Sequence, residues 1–76
     1  MHRQLVSRDE ILRLVNERVR QPLYGGASTL GGLFRLWEPD RDGCNWQECG
    51  FKGIYTEGFR HAVTEIRAKY NLRDDA

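Results

Sequence analysis

The side chains best suited to nucleophilic or metal chemistry in this sequence are Cys44, Cys49, His61 and His2. Structural zinc draws its ligands from tight cysteine and histidine pairs. Here the two histidines stand far apart, so no convincing fourth ligand accompanies the thiols. A disulfide is no better supported: across five residues of one strand the α-carbons lie ~17 Å apart, far beyond bridging distance. Thiol catalysis needs a histidine and a group to orient it. His61 has Glu57 and Glu65 four residues to either side, but all three project from the helix face opposite Phe59 and Val63, which reads as a solvated charged stripe. Asp40 and Asp42 lie in a turn, where carboxylates perform turn chemistry. The expectation is a protein that is not an enzyme and has no cofactor or metal.

Two binding chemistries remain, and a third is weak. Gly26 and Gly31 have the spacing of a phosphate loop, yet no Lys-Ser/Thr pair follows and no strand precedes them. Nucleic-acid binding would use Arg60 and Arg67, two turns apart on one helix, with Thr64 and Asn71 adjacent and Arg35 and Lys52 from the sheet. The net charge is +1 and the pI about 7.8, whereas nucleic-acid domains usually exceed pI ~9. Glutamates also interrupt every face, and two helices separated by a hairpin do not make a helix-turn-helix. Weak nucleic-acid binding is therefore the alternative reading. The leading one is a protein partner or homodimer met by Trp37, Trp46, Tyr24 and Arg35, residue types that dominate interface hot spots. Against it stands the reading that both tryptophans build the core, since each buries ~150–250 Å².

These residues need elements to hold them. Leu33-Phe34-Arg35-Leu36-Trp37 and Cys44-Asn45-Trp46 flank Pro39-Asp40-Arg41-Asp42-Gly43, which predicts a β-hairpin with Asp40 and Gly43 at the first and fourth positions of a type I turn. Two registers stay open. A three-residue loop opposes Glu38 to Trp46; a four-residue loop opposes Trp37 to Trp46 and Arg35 to Glu48. Either way Phe34 and Leu36 share one face and Arg35 and Trp37 the other. Gly50-Phe51-Lys52-Gly53 leads out, with the option of a third strand.

The first helix is predicted from Ser7, where Glu10 completes a capping box and Val6 with Ile11 forms a hydrophobic staple. Ile11, Leu14, Val15 and Val19 make its apolar stripe, with Leu12 on the flank, and Asp9, Arg13, Glu17 and Arg20 its solvated face. Arg18 falls within the apolar arc. It either extends outward near the helix end, where a cation suits the dipole, or meets an anion or a subunit. Gln21-Pro22 ends the helix, and two Gly-Gly pairs across 24–32 predict a mobile loop. The second helix is expected over 57–71, capped by Thr56, with Phe59, Ala62, Val63, Ile66 and Tyr70 buried.

At Asp42-Gly43-Cys44-Asn45-Trp46 and Ala68-Lys69-Tyr70-Asn71-Leu72 the chain resembles small uncharacterised bacterial and phage proteins. Those have a Gly-(Cys)-Asn-Trp strand and a final helix closing on an Arg/Lys-Tyr-Asn-Leu-like sequence. The resemblance spans about ten residues; it implies the helix-hairpin-helix layout and carries no function.

At 76 residues the chain is expected to be one α+β domain over 1–72 with a frayed tail over 73–76. The expected arrangement is α-β-β-α, a two- or three-stranded antiparallel sheet covered on one face by two amphipathic helices. Such a domain buries only ~60% of its unfolded surface, and its core supplies ~3–5 kcal/mol. Dimerisation or a partner therefore suits its size. Ten of the twelve basic residues are arginine, a type favoured at interfaces, although base composition alone produces the same bias. Met1-His2-Arg3-Gln4-Leu5-Val6 runs into Ser7-Arg8-Asp9-Glu10 rather than an apolar stretch, so the expected location is cytoplasmic, with no membrane contact and with reduced thiols. The surface proposed for contact is the open hairpin face with the glycine-rich loop.

Overall fold

The computed structural model describes residues 3–26 and 28–73; His2 and the tail beyond Arg73 lie outside them. The chain is α+β, with the order β1 (Gln4–Val6), α1 (Arg8–Val19), a 3₁₀ turn (Pro22–Tyr24), β2 (Ser28–Arg35), β3 (Trp46–Gly53), α2 (Glu57–Lys69) and β4 (Tyr70–Leu72). Helix α1 begins as its sequence dictates. Ser7 is extended at φ −76° and ψ 165°, and its hydroxyl accepts the Glu10 amide at 3.1 Å. Ile11, Val15 and Val19 are buried, and Leu12 and Leu14 pack at the margin of the core. On the opposite face Arg13 spans Glu10 at 2.5 Å and Glu17 at 2.8 Å, exposed pairs that contribute little. The 3₁₀ turn then sits directly on the start of α2, where a β-carbon at Gly58 would come 2.2 Å from the Tyr24 carbonyl oxygen. Only glycine admits that approach.

The hairpin is longer than its sequence suggests and has neither expected register. Arg35 lies opposite Trp46, Leu33 opposite Glu48 and Leu30 opposite Phe51, and Leu36 donates its amide to Asn45 at 2.9 Å. Pairing stops there because Pro39 has no amide to donate and restricts the residue before it. The Asp40 turn does form, with the Gly43 amide on the Asp40 carbonyl at 2.8 Å, but at the tip of a ten-residue connection over 36–45.

Gly31 and Gly32 belong to β2 and not to a mobile loop. A β-carbon at Gly31 would lie 2.3 Å from the Gly50 carbonyl oxygen, and Gly50 has φ +67°. Here both strands turn over. Residues three apart on a strand should face opposite sides, yet Leu30 and Leu33 are both buried. Phe51 and Glu48 likewise both reach α2, at Phe59 and Arg67. Because each strand skips once at the same level, the register survives. The outer edge of β2 is closed by α1: the Asn16 carboxamide accepts the Leu30 amide at 2.7 Å and donates to its carbonyl at 3.1 Å, and Arg8 donates to the Leu33 carbonyl.

Helix α2 is capped by Thr56, whose hydroxyl accepts the Phe59 amide at 3.0 Å, and buries Phe59, Ala62, Val63 and Ile66. It ends earlier than the expected 71, because Tyr70 turns to φ −132° and ψ 142° and enters β4 without a loop. There β4 runs parallel to β1, Gln4 against Tyr70 through Val6 against Leu72, and the Arg73 amide extends the ladder to the Val6 carbonyl at 3.0 Å. The expected single sheet is thus two separate pairs, one antiparallel and one parallel.

One side chain fastens the pairs together. The Asn45 carboxamide accepts the Leu72 amide at 2.8 Å and donates to the Leu72 carbonyl at 3.0 Å, while Asn71 accepts the Asn45 amide at 3.2 Å and donates to the Gly43 carbonyl at 3.0 Å. Beside them the Trp46 indole donates to the Tyr70 carbonyl at 2.9 Å. Asn45→Ala leaves both Leu72 backbone groups unsatisfied, so we expect a loss of about 2–3 kcal/mol in denaturant unfolding. Asn45→Asp should also destabilise, since a carboxylate then faces the Leu72 carbonyl. An unchanged midpoint in both variants would contradict this role.

Candidate interaction surface

The four residues expected to form one contact surface divide into two groups. Trp37 is 97% exposed, and Arg35 is exposed two residues before it. Trp46 is fully buried, its ring under the Arg67 guanidinium at 5.6 Å. Tyr24 is buried against α2, its hydroxyl bonded to Glu65. Neither buried ring is presented outward, because each needs the polar partner that only its interior position supplies. Arg18 joins the second group and pairs with Glu65 at 3.1 Å. The Tyr24 hydroxyl first, and Arg18 next, hold the Glu65 carboxyl below its ordinary range.

The faces of the hairpin also differ from expectation. Phe34 is 47% exposed, opposite Gln47, on the side away from Leu33 and the helices. Arg35 lies in register with the buried Trp46, and its guanidinium reaches the Arg73 carbonyl. Trp37 stands beyond the strand, on the connection. Cys49, also exposed, is opposite Gly32 on the Phe34 side, whereas Cys44 is buried in the core. The thiols therefore occupy opposite sides of the hairpin. His61 is exposed, with its Nε2 3.8 Å from Glu57.

The connection carrying Trp37 is held by Asp40. One carboxylate oxygen accepts the amides of Asp42 at 2.9 Å and Cys44 at 3.0 Å, and the other meets Arg67 at 2.5 Å. Asp40 returns its own amide to the Cys44 carbonyl at 2.9 Å. Chiefly through the Cys44 amide, and through Arg67, its carboxyl is held below the ordinary aspartate value. Arg67 also meets Glu48 at 3.3 Å, with only 18% of its side chain exposed. Burial works against its charge, but the carboxylates prevail and its pKa is raised. Arg60, the other arginine of the nucleic-acid reading, is exposed and paired with Glu57 at 2.7 Å. The two do not form a common cationic surface.

Under this connection lies a cleft of about 430 Å³ lined by Arg3, Asp40, Asp42, Cys44, Thr64 and Arg67. Its two guanidiniums already donate to the protein, Arg3 to the carbonyls of Arg67 and Asp42, Arg67 to Asp40 and Glu48. Burial pushes the Cys44 thiol up, away from thiolate. Both guanidiniums and the Asp40 carboxylate are thus engaged within the protein.

A second exposed apolar region carries no strong sequence signal. Phe51, Tyr55 and the buried Phe59 pack ring on ring at 5.4–5.6 Å, Ile54 is 70% exposed beside them, and Leu23 is exposed on the turn seated at Gly58. Its only cue is Ile54-Tyr55 between Gly53 and the Thr56 cap.

Because the folded Asp40 pKa is depressed, its stabilising effect is present above the ordinary value of 3.8 and is lost as pH falls through the folded value. Other lowered carboxyls share this acid limb, so the informative measurement is the difference from Asp40→Asn. We expect the gap in urea midpoint between wild type and variant to be constant near neutrality and to close below about pH 4. A gap independent of pH would show that the charge of Asp40 plays no part.

Among the described residues no helix is long and apolar enough to cross a membrane. No family model, curated protein or solved structure matches this chain, so the reading of the surface rests on its own geometry.

Proposed function

We propose that this chain is a small non-enzymatic binding or regulatory protein, cytoplasmic, acting through a protein partner or a second copy by way of the hairpin and its connection. The observation that carries the reading is Trp37, 97% exposed on a connection pinned by five hydrogen bonds to and from Asp40. A large ring on a preorganised support loses little entropy on docking, and tryptophan is the residue type most enriched at interface centres. The nucleic-acid alternative draws less support. Arg67 is two-fold paired and largely enclosed, and Arg60 is paired with Glu57, so phosphate would have to displace carboxylates at both.

Trp37→Ala tests the reading. The ring makes almost no contact with its own domain, so the variant should keep wild-type circular dichroism and unfold within about 0.5 kcal/mol of wild type. Its association, measured by light scattering for self-assembly and by pull-down for a partner, should weaken by at least about thirtyfold. Association that survives in the folded variant would exclude the Trp37 surface.

A further inference from the structure

Asp42-Gly43 is the one place in the sequence where an aspartate or asparagine precedes a glycine. Such a dipeptide has its own chemistry. The amide nitrogen of the second residue can attack the side-chain carboxyl carbon of the first, and glycine, having no side chain, hinders that approach least. Asp42 is exposed and belongs to none of the ion pairs formed among the described residues, so its carboxyl stands open to solvent. The backbone beside it is tied down at every polar group. The Asp42 amide donates to the Asp40 carboxylate at 2.9 Å and the Asp42 carbonyl accepts from Arg3. The Gly43 amide donates to the Asp40 carbonyl at 2.8 Å, and the Gly43 carbonyl accepts from Asn71 at 3.0 Å. The nitrogen that would attack therefore has its hydrogen committed to Asp40.

We infer that Asp42-Gly43 is a modification site, converted to isoaspartate when the connection opens and guarded while it is closed. In the first step the Gly43 nitrogen bonds to the side-chain carbon of the protonated Asp42 carboxyl. The carboxyl OH and the amide hydrogen leave together as water, and a five-membered succinimide remains. Water then adds to one of the two ring carbonyl carbons. Breaking the bond from nitrogen to the former side-chain carbon restores aspartate, whereas breaking the bond to the main-chain carbonyl carbon leaves isoaspartate and a free α-carboxylate. No electrons are gained or lost. Isoaspartate routes the main chain through the side chain and lengthens it by one carbon, so the bonds that Asp40 makes across this turn cannot re-form in their former geometry. A brief opening is thereby recorded as a lasting one. This goes beyond the reading of Trp37 and holds whether or not that ring meets a partner.

The full chain is incubated at neutral pH, folded or unfolded in urea, returned to buffer, and probed with an isoaspartyl carboxyl methyltransferase and a labelled methyl donor. Label should accumulate at least about tenfold faster in the unfolded chain than in the folded one, because only opened molecules react. It should fall to background in Asp42→Glu, whose longer side chain must close a larger and slower ring. Two variants release the guard from different sides. Asp40→Ala removes the carboxylate that holds the Asp42 and Cys44 amides, and Arg3→Ala removes the donor on the Asp42 carbonyl. Each, shown to be folded by circular dichroism, should take up label at least about threefold faster than folded wild type. If Asp40→Ala does not fold, Arg3→Ala carries the comparison. Label that persists in Asp42→Glu, or that never forms in the unfolded wild type, would overturn the site. Label that forms as fast in the folded chain as in urea, or folded variants that react at the wild-type rate, would overturn the guard.

Discussion

The fold depends on one carboxamide. Asn45 presents an acceptor and a donor to the amide and carbonyl of Leu72, as a neighbouring strand residue would, and so completes the side of β4 not already taken by β1. A parallel pair of three-residue strands is too short to stand alone. With Asn45 on one side and β1 on the other, the backbone of β4 is satisfied, and the chain is closed from Gln4 to Leu72. Asn71 returns the favour at the Asn45 amide and the Gly43 carbonyl. The neighbouring indole follows from the same contact. Trp46 is the largest fully buried side chain, and its N–H would be a heavy penalty inside the core without the Tyr70 carbonyl that β4 places against it. Asn16 performs the same service at the edge of β2, so in each sheet one strand edge is met by an asparagine rather than by another strand.

This is also where local sequence and tertiary structure part. Both helix starts were legible, because the Ser7 and Thr56 hydroxyls cap amides three residues on and the apolar stripes follow the helical period, although the Glu10 carboxylate of the expected capping box is spent on Arg13. The Asp40–Gly43 turn was legible for the same reason. Strands β1 and β4 were not, since three residues show no period and their partners lie 66 positions apart. The hairpin register was hidden because it depends on a contact outside the hairpin, Trp46 meeting Tyr70. Gly31 and Gly32 read as a loop, when their lack of a side chain is what lets two strands turn over against Gly50. The two short signatures around Asn45 and Asn71, which the sequence could only set side by side, are joined by five hydrogen bonds.

Arginine shows how the site was misjudged. By helical spacing Arg67 lies beside the core stripe and reads as a solvated flank. What the spacing omits is the hairpin lying against α2: its connection brings Asp40 to Arg67, and β3 brings Glu48 and the Trp46 ring. A residue that had looked available for phosphate thereby becomes the internal counter-charge of a turn. Arg18 is a milder instance: its place within the apolar arc is explained by Glu65, and the alternatives of an external anion or subunit are no longer needed.

The same logic separates the two tryptophans. They flank one turn and have the same chemistry, and composition offers no reason to prefer either for the core. The deciding quantity is whether a buried indole N–H finds an acceptor. Trp46 is the first residue of β3, level with the end of α2, and meets Tyr70 there. Trp37 follows the last residues of β2 at the start of the connection, where its ring is 97% exposed and meets no acceptor among the described residues. A chain this small gains from every ring it can enclose, so an indole left outside, on a turn braced by Asp40 and Arg67, adds nothing to the stability of the monomer. The bonds of Asp40 fix the backbone of residues 40–44 and so serve the fold, while the indole itself, 97% exposed, contributes no contact to it.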